Sequence, residues 1–154
     1  MSRPEFESIV AGAPRESLKR NLITVNTGSI ARFGFVDYNV FSPAGTISRL
    51  NSIAFEFTPS PLGTSNIDFF YTNGNRAFIT MSSTSGYVFN NNWWQSAVPG
   101  TLNPSNIDTL LGTMRNVFFD ATTGIRIRWT NQGAGAASAS GSIEIYTIET
   151  LISI

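Results

Sequence analysis

Two adjacent tryptophans, Trp93 and Trp94, sit in the chain's densest run of groups able to hold a ligand, with Tyr87, Phe89, Asn90 to Asn92 and Gln95 around them. Aromatic faces stack on sugar rings, and Asn and Gln amides donate and accept hydrogen bonds towards hydroxyls. Tyr87, Asn91, Trp93, Trp94 and Gln95 are therefore the candidate glycan-contacting residues. Neighbours on a strand point to opposite faces, so only one tryptophan would face outward. The competing reading puts one in the core and the other in a loop or subunit contact.

Carboxylates offer the other route to chemistry. Asp37, Glu56, Asp68, Asp108, Asp120 and Glu144 are available, but glycoside hydrolysis needs two roughly 5–10 Å apart. No motif fixes such a pair, so solvated or arginine-paired carboxylates are expected. The sequence has neither histidine nor cysteine. That removes the commonest proton shuttle, the thiolate nucleophiles, the usual zinc and haem ligands, and disulfides. No transition metal and no cofactor is expected. D-A-T-T-G at 120–124 could lend oxygens to calcium but is too short for a binding loop, and an Asx turn is the simpler reading. The G-x-G within 133–141 lacks the lysine and helix of a phosphate loop.

Charged residues make up 13% of the chain, against roughly 25% in ordinary domains. Ten basic residues balance ten acidic ones, and the single lysine is Lys19. Nucleic-acid binding shows as a basic stripe; here Arg3, Arg15, Lys19 and Arg20 alternate with Glu5, Glu7 and Glu16, so nucleic acid is not an expected partner. No run approaches the ~20 apolar residues of a membrane span, so none with a membrane is expected either. The first twenty residues lack the apolar core of a secretory leader. A neutral surface gives little colloidal repulsion, which fits an assembled subunit better than a concentrated free monomer.

The elements that must position these groups are short and turn-marked. Residues 1–20 read as an arm bracketed by Pro4 and Pro14, and 21–154 as one β domain. Strands are expected near 21–26, 30–41, 46–58, 86–90, 116–120, 124–131 and 142–149, with a hairpin over 67–81. In that hairpin a three-residue loop, Asn73 to Asn75, pairs Ile67 with Met81, Phe69 with Ile79 and Tyr71 with Ala77. It puts one apolar set on one face, which is what selects a register. The last two strands are expected to pair, Trp129 with Ile143 and Arg128 with Glu144. A short helix is expected over 103–112, where an Asn or Ser cap precedes Asp108 and Gly112 follows.

About eight strands at this spacing predict an all-β, antiparallel, jelly-roll-like sandwich with one short helix and an N-terminal arm. In composition and segment pattern the chain resembles small phage head-decoration and fibre domains, and no motif identifies one family. The expected function is a non-enzymatic structural protein. It would be a self-assembling subunit of a virus or phage particle (capsid, head-decoration or fibre component), located in the virion. Its partners would be copies of itself and other particle proteins. Intersubunit contacts are expected from Phe6, Ile9, Val10 and Leu18 in the arm and from Leu151, Ile152 and Ile154 at the end, because apolar side chains free in water gain from burial. The alternative is a carbohydrate- or receptor-binding module that meets a surface glycan through the tryptophan cluster.

Overall fold

A computed structural model describes residues 15–61, 63–83, 87–90 and 116–152. The helix expected over 103–112 lies outside these residues, as do Trp93, Trp94 and most of the arm. Nine strands are described: β1 (Arg15–Asn26), β2 (Phe35–Val40), β3 (Thr46–Ser60), β4 (Ser65–Tyr71), β5 (Ile79–Ser83), β6 (Tyr87–Asn90), β7 (Phe118–Phe119), β8 (Ile125–Asn131) and β9 (Ser138–Leu151). No helix occurs among the described residues. The fold is all-β.

Two antiparallel sheets form. One runs β1-β9-β3-β6, with the short β7 also on β3; the other runs β2-β8-β4-β5. We call them the β9 sheet and the β8 sheet. The pairings nest, β4 with β5, β3 with β6, β2 with β8 and β1 with β9. One hydrophobic cluster joins both sheets: Val25, Leu50, Ile53, Ile143 and Ile145 from the first meet Ile67, Phe69, Ile125, Ile127 and Trp129 from the second. The molecule is thus a sandwich with a single core.

Local sequence explains most strands. In β8, I-R-I-R-W-T-N, Ile125, Ile127, Trp129 and Asn131 are buried while Arg126, Arg128 and Thr130 are half-buried, a period of two. The β4–β5 hairpin takes the predicted register, with Ile67 opposite Met81 and Phe69 opposite Ile79. Phe69 and Ile79 both enter the core. The Tyr71–Ala77 pair does not form. The β4–β5 ladder ends at Phe69↔Ile79, while on the other side of β4 Tyr71 lies opposite Ile125 and the Thr72 N–H donates to Gly124 O at 2.9 Å, so the loop is tied to β8's leading turn. Gly124 is needed there because a Cβ would collide with the Val40 carbonyl oxygen.

Two expectations are corrected. Strands β8 and β9 do not pair: they lie in different sheets. Trp129 and Ile143 still share the core, but across the sandwich, and Arg128 faces Asp37 rather than Glu144. Alternation tells which residues point inward and does not name the neighbouring strand. Secondly, β1 begins at Arg15, six residues before Asn21, and β9 begins at Ser138, four residues before the expected Ser142. Both additions are polar or small stretches held by long ladders against neighbouring strands.

Candidate assembly surface

The outer face of the β9 sheet carries apolar side chains that nothing covers. The registers Leu18↔Ile148, Ile148↔Arg49 and Arg49↔Phe118 set one row across four strands. Ile47, opposite Thr150, stands in the next row. Leu18 is 62% exposed, Phe118 53% and Ile47 36%. Leu22, further along the same face of β1, is 53% exposed. Among the described residues β1 pairs on one side only, with β9. Its free side therefore offers unpaired backbone N–H and C=O groups along a twelve-residue strand.

One cluster of charges on this face is paired. Arg20 forks onto Glu144, with Nε to Oε2 at 3.2 Å and Nη2 to Oε1 at 2.9 Å. The Tyr146 hydroxyl donates to Glu144 Oε2 at 2.8 Å. The Arg20 guanidinium, followed by that hydroxyl, holds the Glu144 carboxyl below its ordinary value. Donating its hydrogen bond to this carboxylate holds the Tyr146 hydroxyl above its own ordinary value. On the opposite side of β1, Lys19 meets Glu149 at 3.4 Å.

The outer face of the β8 sheet is built differently. Arg128 forks onto Asp37, at 2.7 and 3.0 Å. Its guanidinium lies 3.7 Å from the Phe35 ring centre and 5.3 Å from that of Phe70. Arg126 covers Phe70 at 4.7 Å and donates to Gly74 O at 2.7 Å. Phe70, though on the outward face opposite Arg126, is only 7% exposed. The Asp37 hydrogen bond raises the Arg128 pKa, burial opposing it. Asp68 lies opposite Arg128 on the other side. The two aspartates thus flank one guanidinium.

At the edge of this sheet Asn131 is buried and donates from Nδ2 to Ile30 O and Gly135 O, both at 2.9 Å. Its Oδ1 accepts from the Gly133 N–H at 3.0 Å. The amide binds two loops together. One contains Phe33, whose φ of 66° and 63% exposure put an aromatic ring outward from a left-handed position. That conformation is uncommon for a bulky residue.

Of the residues singled out from sequence, Leu18, Leu151 and Ile152 are described and exposed, the last two at 41% and 58%. Leu151 falls on the opposite side of β9 from Ile148, so Leu151 and Leu18 are not brought onto one face. Tyr87 lies in β6 opposite Phe57. Asn91, Trp93, Trp94, Gln95, Phe6, Ile9, Val10 and Ile154 lie outside the described residues. The Asx turn is present: Asp120 Oδ1 accepts the Thr122 and Thr123 N–H groups, each at 2.8 Å. Those bonds lower its pKa. Among the described residues no three acidic side chains group as a metal site would require. Ile148 and Phe118 were missed. Their signal was an apolar residue on the wrong parity, Ile148 after Ile143 and Ile145, and Phe118 directly before Phe119.

No protein-family model matches the chain, and no curated protein matches it. Among solved structures it is similar to one of infectious bursal disease virus, Gx strain, at 14% identity and a TM-score of 0.24. That match covers 92% of this chain and 38% of the other. A likeness so distant carries no functional weight.

Proposed function

We propose that this chain is a non-enzymatic structural subunit of a virus or phage particle, located in the virion and assembling with copies of itself and other particle proteins. The observation that carries the reading is the outer face of the β9 sheet, where Leu18, Phe118 and Ile47 stand exposed beside the free edge of β1. A monomer that spends its life alone gains nothing from such a face, whereas burying each large side chain is worth roughly 1.5–3 kcal/mol. The nested pairing, first strand with last and second with last but one, is read as a jelly roll, an architecture shared by capsid and lectin domains. Fold alone does not choose between those roles.

Light scattering over a concentration series tests the reading. An assembling subunit runs above the 16.8 kDa of one chain and shifts downward when Leu18 and Phe118 are both changed to serine. A monomer at every concentration would remove the reading. The second reading, a glycan- or receptor-binding module, is favoured by one observation: Phe33 and Phe35 are exposed aromatics at 63% and 51% on one edge of the β8 sheet. Glycan-array binding lost on Phe35→Ala would promote it.

A further inference from the structure

The free side of β1 is the longest uncovered sheet edge in the described structure. The other strands at sheet ends, β2, β5 and β6, have six, five and four residues, whereas β1 has twelve. Proteins blunt such edges with proline, bulges, brevity or charged side chains. Strand β1, R-E-S-L-K-R-N-L-I-T-V-N, contains neither proline nor glycine, and its register with β9 runs unbroken from Arg15↔Leu151 to Asn26↔Ser140. Its ladder is regular, residues 16–20 are exposed, and the guard it carries there is charge, in Glu16, Lys19 and Arg20, so a partner strand must match those charges.

We propose that the occupant is β1 of a second copy, paired antiparallel about a two-fold axis that passes through Leu18. This rests on the assembly reading and specifies which surface and which register it uses. A two-fold pairing of one strand with itself must place residues of the same parity opposite each other. Otherwise core-facing side chains would meet outward ones, and the hydrogen-bonding edges would not match. Five centres along the exposed stretch 16–20 satisfy this. Centring on Glu16, Lys19 or Arg20 sets a charge opposite itself, centring on Ser17 sets Arg15 opposite Lys19, and like charges directly opposite destabilise.

Centring on Leu18 sets Leu18 opposite Leu18 and Glu16 opposite Arg20, twice by symmetry. Glu16 is exposed and has no ion-pair partner among the described residues. Arg20 already holds Glu144 and can receive a second carboxylate. On the inner side Lys19 meets Ser17, with its charge already balanced by Glu149. The two β9 sheets would become one continuous sheet, and the exposed Leu18–Ile148–Phe118 rows of both copies would lie on one side of it.

The absence of cysteine from the chain makes the test clean. Opposed Cα atoms in an antiparallel pair are ~4.5–5.5 Å apart, within the ~4.4–6.8 Å a disulfide spans. Leu18→Cys, Arg20→Cys and Leu22→Cys are each oxidised mildly, and the products are weighed by denaturing mass spectrometry. Circular dichroism confirms that each folds. Cross-linked dimer is expected for Leu18→Cys. None is expected for Leu22→Cys, whose two copies would sit roughly 27 Å apart at ~3.4 Å per residue. Leu18→Lys should weaken self-association about tenfold in light scattering. Cross-linking at Arg20→Cys instead of Leu18→Cys overturns the register. An oligomer that persists unchanged in Leu18→Lys, with no cross-link at position 18, overturns the edge pairing and leaves the assembly reading standing. A wild-type chain that stays monomeric overturns both.

Discussion

The two outer faces of this sandwich solve the same problem in opposite ways. Each carries apolar side chains on a surface that meets water, and each has one forked arginine–carboxylate pair. On the β8 sheet, Arg126 and Arg128 lie over Phe70 and Phe35, and Phe70 ends 7% exposed. The arginine stems and guanidinium planes act as a lid on aromatic rings. On the β9 sheet the arginine of the pair, Arg20, turns to Glu144 and Tyr146, and Leu18 and Phe118 stay bare at 62% and 53%. The first face covers Phe70 within the chain, although Phe35 on its edge strand stays 51% exposed. The second is left for something else to finish.

The sharpest way to break this contrast is to truncate one aromatic on each face. Phe70→Ala should cost about 3 kcal/mol of unfolding free energy, because it leaves a void beneath two guanidinium groups. Phe118→Ala, measured dilute, should stay within about 0.5 kcal/mol of wild type. Chemical denaturation reads both, and equal losses would show that the two faces are not different in kind. Asn131→Ala comes next. It leaves the Gly133 N–H and two carbonyls without their buried partner and should cost about 2 kcal/mol. The loop carrying Phe33 should then exchange its amides faster.

Arg128→Met keeps an unbranched stem beside Phe35 and removes the charge. A loss of about 1 kcal/mol is expected, discounted because the pair is partly solvated. A larger loss would mean that the fork to Asp37 matters more than the lid. The smallest effect concerns acid. Glu144 has a folded pKa below its unfolded one, so its contribution is present above the ordinary carboxylate range and is lost as pH falls through the folded value. Asp120 follows the same sign, its cause being the Thr123 and Thr122 N–H groups. In Arg20→Met the Glu144 carboxyl should titrate higher while Asp120 does not move. Carbon-detected NMR of the side-chain carboxyls distinguishes the two.

Much of the core was legible before any coordinates, because burial on one face writes itself as a period of two. The I-R-I-R-W-T run and the Phe69–Ile79 register are of this kind. Which strands are neighbours was not legible. Trp129 and Ile143 are both inward, and that fact is equally true of a hairpin and of two strands facing across a core. The start of β1 was hidden for a related reason: R-E-S-L-K-R makes its contacts through the backbone ladder, and its side chains carry no apolar pattern. The lid on Phe70 was hidden because parity assigned that ring to solvent and could not see the arginines of the adjacent strand. The candidate surface was half legible. Leu18 was singled out, and its companions Ile148, Ile47 and Phe118 came from three other strands.

The register Arg15↔Leu151 also determines how the molecule bears load. The two residues stand side by side at one end of the sheet, on adjacent antiparallel strands. A pull applied through the segments that leave from them therefore acts across the β1–β9 ladder rather than along it. Hydrogen bonds in that geometry open one after another, like a zip, and never share the force as a sheared block would. A subunit tethered by both segments should yield at low tension, releasing β1 first, while the β8 sheet and most of the core stay closed.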